Sequence, residues 1–253
     1  MTRKILSSPA AKTIFQMKSQ LTLTFGETVS YSSETFIAHT GAREVADTLI
    51  TLSSEKRFAL VYIEGGASTG KTHLSVYCAG LLRSLEGAVD VVSGESVYEW
   101  YVDKIARGAN LLKGQSLIVD DAENWLENPS SEGGFTAVAD AILQANGLLV
   151  LIGSASANTL KVGSQIKSRL KAGVQMKLGA ADEQALDLIL KAMCIQRGLK
   201  LSEAKRRFVL SRVSRSIPAL TAYVQRLQDL GRSERSSTSF ELLTAALEGD
   251  GQD

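Results

Sequence analysis

Gly65-Gly66-Ala67-Ser68-Thr69-Gly70-Lys71-Thr72 is the stretch that decides the fold. An apolar run, Phe58-Ala59-Leu60-Val61-Tyr62-Ile63, leads into it, and a segment with helical apolar spacing, His73 through Leu82, follows. Strand, glycine-rich loop and helix in that order form the phosphate-binding loop pattern. Gly65 and Gly70 leave room for backbone N–H groups to face phosphate oxygens, and the start of the new helix adds partial positive charge. The run Gly65, Gly66, Ala67, Ser68, Thr69, Gly70, Lys71, Thr72 and His73 is therefore expected to hold a nucleotide. Lys71 is expected to reach the β- and γ-phosphates and the Thr72 hydroxyl to ligate Mg²⁺. An ordinary strand-to-helix turn would not require Lys-Thr behind the last glycine.

A second apolar strand, Leu117-Ile118-Val119, ends in paired carboxylates, Asp120 and Asp121. Such a strand carries its acids to the C-terminal edge of a parallel sheet, where ligand crevices lie. Asp120 is expected to hold Mg²⁺, mostly through water, and Asp121 to orient or deprotonate an attacking water. An isolated Asp-Asp pair often only caps a helix, but here a phosphate loop precedes it at a workable distance. A third apolar run, Gly147 through Ile152, ends at Gly153-Ser154-Ala155-Ser156, where Ser154 could face the γ-phosphate. Phe36 and Ile37, on the turn-rich approach to the core, are candidates for a base pocket, with ordinary core packing as the competing explanation; His39 reads as a surface loop histidine without a role.

Outward from these motifs, helices are expected at about 41–53, 96–105 and 165–171, strands at 88–92 and 174–178, and a polar loop at 127–134. From Asp182 the pattern is helical only, with a stop at Gly198, a cap at Ser202 and a helix start at Ile217-Pro218. The expected architecture is α/β: a P-loop core with a parallel five-stranded sheet over 31–179, then a small all-α lid over 180–253. Residues 1–30 are expected to be a flexible leader carrying the alternating peptide Gln20-Leu21-Thr22-Leu23-Thr24-Phe25. That peptide is either an edge strand or an exposed motif whose Gln20, Leu21, Leu23 and Phe25 enter a partner's groove.

Net charge is +1, with 44% hydrophobic and 22% charged residues, an ordinary globular composition. Cys78 and Cys194 sit in helical segments without metal-like spacing and read as reduced core thiols. No apolar run is long enough to span a bilayer, and no secretory signal is evident, so a cytoplasmic, nucleoid-associated protein without a membrane partner is expected.

Together, Gly70-Lys71-Thr72-His73-Leu74, the strand ending in Asp120-Asp121, Ile166-Lys167-Ser168-Arg169-Leu170 and Gln20 through Phe25 resemble the DnaA-related AAA+ ATPases, specifically the Hda branch. The resemblance covers roughly residues 19–247. It implies ATP or ADP with Mg²⁺ as cofactors. It also implies that the peptide from Gln20 binds the DNA polymerase sliding clamp, and that Arg169 is an arginine finger acting in trans on a neighbour's nucleotide, a solvated basic helix face being the alternative. The implied function is negative regulation of replication initiation by stimulating ATP hydrolysis in DnaA, with DNA contacted mostly through the clamp. Self-association into a homo-oligomer stays open.

Two departures bear on this. Ser154 is followed by Ala155-Ser156-Ala157 where the family usually has a polar group and Arg-Pro-Pro-like residues. Pro218 falls on the family's lid arginine, for which Arg215 could substitute only if the helix starts before Pro218. Nucleotide binding with weak intrinsic hydrolysis follows. Two other readings stay open: a DnaC-like helicase loader that binds DNA through the basic lid, and a nucleotide-locked adaptor without catalysis.

Overall fold

The computed structural model describes residues 39–85, 87–106, 111–233 and 238–247. Gln20, Leu21, Leu23, Phe25, Phe36 and Ile37 lie outside the described residues. Five strands, β1 (Ala59–Gly65), β2 (Val89–Ser93), β3 (Ser116–Asp120), β4 (Leu148–Gly153) and β5 (Val174–Leu178), form one sheet in the order β2-β3-β4-β1-β5. All pairings are parallel. The central strands β1, β3 and β4 read as nearly unbroken apolar runs, as strands covered on both faces do, whereas the edge strands β2 and β5 carry Asp90 and the exposed Gln175 and Lys177.

Alternation along each strand divides the core in two. Leu60, Tyr62, Leu117, Val119, Leu149 and Leu151 face one side, with Trp125, Phe135, Val138, Ile142, Ile166 and Leu170 packed over them. Those residues come from α4 (Glu123–Leu126), α5 (Ser131–Ala145) and α6 (Ser164–Ala172). Val61, Ile63, Ile118, Val150 and Ile152 face the other side, against α1 (Thr40–Ser54) and α2 (Lys71–Ser84). Between β2 and β3, a tight 3₁₀ turn at Gly94–Ser96 leads into α3 (Val97–Tyr101), which widens into a π-helical turn at Val102–Ala106. The single helix expected over 96–105 is thus three windings in succession.

After β5 the chain is helical: α7 (Glu183–Gln196), α8 (Glu203–Leu210), α9 (Ile217–Ser233) and α10 (Phe240–Ala245). Asp182 caps α7 by accepting from the Ala185 N–H at 2.8 Å, and Ser202 caps α8 through the Lys205 N–H at 3.4 Å. Gly198 ends the α7 turn at φ +73°, a conformation that glycine adopts without strain. These helices have their own core of Leu186, Leu190, Val209, Leu220, Tyr223, Leu227 and Leu243, and the Tyr223 hydroxyl donates to the Leu243 carbonyl at 3.0 Å.

Candidate functional site

Parallel pairing brings the ends of β1, β3 and β4 to one edge of the sheet, with Ser93 opposite Asp120 and Glu64 opposite Gly153. The chain turns from β1 into α2 through Ser68 at φ +65° and Gly70 at φ +87°. A Cβ on Gly65 would sit 2.8 Å from the Thr69 hydroxyl and 3.0 Å from the Lys71 side chain, so this glycine permits the tight loop. Thr69 braces the loop by donating from Oγ1 to the Gly66 carbonyl at 2.9 Å. Lys71 Nζ folds back over it, 3.4 Å from the same carbonyl.

The Thr72 side chain meets the Asp120 carboxylate in a hydrogen bond, within the field of Lys71. Asp120 is buried, and its Oδ1 has no hydrogen-bond partner among the described residues. Burial pushes the Asp120 carboxyl up to about 6, against the opposing effects of Thr72 and Lys71. A buried carboxylate with an orphaned oxygen, beside a hydroxyl and at a phosphate-binding loop, fits a divalent cation. Among the described residues no three His, Cys, Asp or Glu side chains form a metal cluster. Thr72 and Asp120 would therefore share the cation with phosphate oxygens and water, as Mg²⁺ prefers.

Asp121 is not on the strand. The ladder stops at Asp120, and Asp121 turns off it at φ +47°. Its backbone is packed closely by Gly94, where any Cβ would overlap the Asp121 carbonyl oxygen. Asp121 thus leaves the ladder but stays close enough that its charge also raises the Asp120 carboxyl, while Asp120 meets Thr72. His73 is half-buried, and burial pushes its imidazole down to about 4, so it is neutral at pH 7 and adds no cation to the loop. Ser154 lies exposed at the end of β4, with its backbone N–H donating to Glu123 Oε1 at 3.1 Å.

The helical segment also borders the loop. Ile217, the first residue of α9, has Cδ1 3.4 Å from where a Cβ on Gly70 would lie. The early helix start that would bring Arg215 in does not occur: Arg215 precedes α9, exposed, with Nη1 3.9 Å from Glu183 Oε2. His39 corrects the sequence reading. It is buried rather than on the surface, in hydrogen-bond contact with the Thr69 backbone and in the field of Asp182, and desolvation lowers its pKa. Nothing in its local sequence signals this, because the contacts come from residues 30 and 143 positions away.

Arg169 is placed elsewhere. It projects from α6 and shares a cavity of about 440 Å³ with Phe58, Ala59, Leu60, Gly173 and Val174, the beginnings of β1 and β5. Its Nη1 donates to Asp140 Oδ1 on α5 at 3.1 Å. The phosphate loop is at the other end of β1, six residue steps or about 20 Å along the strand at roughly 3.3 Å per residue.

The sheet order, phosphate loop and following helices define the AAA+ fold, as seen in domain III of the replication initiator DnaA from Thermotoga maritima. That structure superposes with a TM-score of 0.71 at 17% identity, covering 87% of this chain and 96% of that one. The Holliday junction branch migration motor RuvB of the same organism aligns with a TM-score of 0.67 at 16% identity, covering 88% and 73%. DnaA from Aquifex aeolicus, bound to AMPPCP, aligns at 0.61 and 17% identity, covering 81% and 68%. An uncharacterized protein of Haemophilus influenzae is 26% identical over 178 residues, which are 69% of this chain and 75% of that protein. No protein-family profile matches the chain.

Proposed function

We propose that the chain is a nucleotide-holding AAA+ regulator of the Hda kind, which docks on the DNA polymerase sliding clamp through Gln20 to Phe25 and stimulates ATP hydrolysis by DnaA. The observation that carries this reading is the separation of its two functional ends. Arg169 lies at the start of β1 and the phosphate loop at its finish, so Arg169 cannot serve the chain's own nucleotide. A cation so placed is exposed to a neighbouring molecule, which supports a role on a nucleotide held by that neighbour.

In its own site the chain binds ATP or ADP. The backbone of Gly65 to Thr72 holds the phosphates, Lys71 neutralises their charge, and Thr72 with Asp120 holds Mg²⁺. Bound Mg²⁺ supplies charge neutralisation across the phosphates. Asp121 orients water there, but Ile217 rather than a cation meets the loop from α9, so intrinsic turnover is slow. In trans, Arg169 stabilises charge developing on the partner's γ-phosphate. Leaving Asp140 for that phosphate exchanges an exposed ion pair, worth at most about 1 kcal/mol, for a charge-assisted contact.

Four of the lid cations favour a regulator over a DNA-binding ATPase, because each is engaged within the lid. Arg206 donates to both Asp187 oxygens, Arg207 pairs with Glu203, Arg212 lies over the Phe208 ring, and Arg226 donates to the Ala246 carbonyl. The test of tethering is capture on clamp-loaded DNA. Wild type should be retained and Gln20→Ala/Leu23→Ala lost; equal retention of both would contradict tethering.

A further inference from the structure

Between β4 and α6 the chain crosses residues 154–163 without regular structure, and one short neighbouring segment holds both ends of this crossing. Glu123 Oε1 accepts the Ser154 N–H at 3.1 Å, and Glu127 Oε1 accepts the Lys161 N–H at 2.9 Å. The Glu132 carboxylate fills the space where a side chain on Gly163 would lie, immediately before α6. All three acids fall within the eleven residues that follow Asp121 directly. The Asn124 N–H donates to the Asp121 carbonyl at 3.0 Å, and the Leu126 N–H to the Ala122 carbonyl at 2.9 Å, so the α4 turn is continuous with the acids of the nucleotide site.

The Glu123 Oε2 is buried with no hydrogen-bond partner among the described residues, a costly state for a carboxylate. A side chain on Gly153 would collide with this oxygen and with the Tyr62 hydroxyl, which itself donates to the Ala155 carbonyl at 2.7 Å. Downstream, α6 is a firm lever: Ile166 and Leu170 are buried in the core while Arg169 projects outward.

We propose that Glu123 and Glu127 are positioning residues that tie the 154–163 crossing, and through it α6 and Arg169, to the acids at the end of β3, so that nucleotide at the loop Gly65–Thr72 sets the placement of Arg169. This rests on the nucleotide-binding reading above. It adds a route by which occupancy of the chain's own site controls a finger about 20 Å away, through two side-chain-to-backbone bonds and one packed helix.

The test is hydrogen exchange of the full chain with and without ATP and Mg²⁺. It compares wild type, Glu123→Ala/Glu127→Ala, and Glu123→Gln/Glu127→Gln, whose amide oxygens still accept both N–H bonds. In wild type, nucleotide should slow exchange at residues 65–72 and, several-fold, at 154–172. The alanine pair should keep the first effect and lose the second, and the glutamine pair should regain it. A merely structural role would raise exchange equally with and without nucleotide. Nucleotide slowing of 154–172 in the alanine pair equal to that in wild type overturns the inference, as does protection of wild type confined to 65–72. Absence of protection at 65–72 in wild type overturns the nucleotide reading itself and this inference with it.

Discussion

In the proposed site Lys71, Thr72 and Asp120 would each do something different to a bound nucleotide, and substitutions separate them. Lys71 is half-buried and, among the described residues, its amine bonds only a loop carbonyl, so Lys71→Ala should fold normally. It removes a charge-assisted contact worth roughly 1.5–3 kcal/mol, so calorimetry should find nucleotide affinity reduced by about 10- to 100-fold. Asp120→Asn should act on the cation: Mg²⁺ should no longer strengthen ATP binding, and an unchanged Mg²⁺ effect would remove Asp120 from the metal site. The cysteines give a control on the core. Burial pushes the Cys78 thiol up to about 12 and the Cys194 thiol up to about 11, well above the usual 9.0. Since only the thiolate reacts, neither should be alkylated at pH 8 until the protein unfolds, and rapid modification of the native protein would contradict the packing.

At the scale of elements, the regular pieces were legible because periodicity and punctuation agree. The apolar runs ending at Ile63, Asp120 and Ile152 are all buried strands, and Asp182, Ser202 and Gly198 act as the caps and stop they resemble. The departures have local causes. The polar run 127–134 is only partly loop, since α5 starts at Ser131 and takes Gly133 and Gly134 into its first turns, where both line an open groove. Glycine content suggested a break, but the burial of Phe135, Val138 and Ile142 outweighs a propensity cost of about 1 kcal/mol per glycine. Asp121 leaves the strand with its carbonyl close against Gly94, whose missing side chain permits the approach, a contact between distant segments that no window of sequence contains. Gly147 is a comparable close approach, where a Cβ would overlap the Gln115 carbonyl oxygen. Gly147→Ala should destabilise by about 1–3 kcal/mol and lower Tm by roughly 2–4 °C per kcal/mol, whereas Gly133→Ala, in open space, should not lower it.

At the scale of the whole molecule, the arrangement puts the two sites that the proposed function uses, the loop Gly65–Thr72 and Arg169, at opposite ends of β1. The loop and the α9 start meet at one edge of the sheet, and Arg169 stands at the other, paired with Asp140. The motifs for the first half were all in the sequence, whereas the distance between the halves needed the strand directions. On the proposed function, the molecule would be complete as a catalyst only when a second nucleotide-holding protein meets Arg169. The most direct measurement is the rate of ATP hydrolysis by DnaA on clamp-loaded DNA, with wild type and with Arg169→Ala at equal nucleotide occupancy. Wild type should accelerate hydrolysis and Arg169→Ala should lose that acceleration, a finger contribution on the order of 10³-fold or more. An Arg169→Ala protein that accelerates DnaA as wild type does would contradict the account.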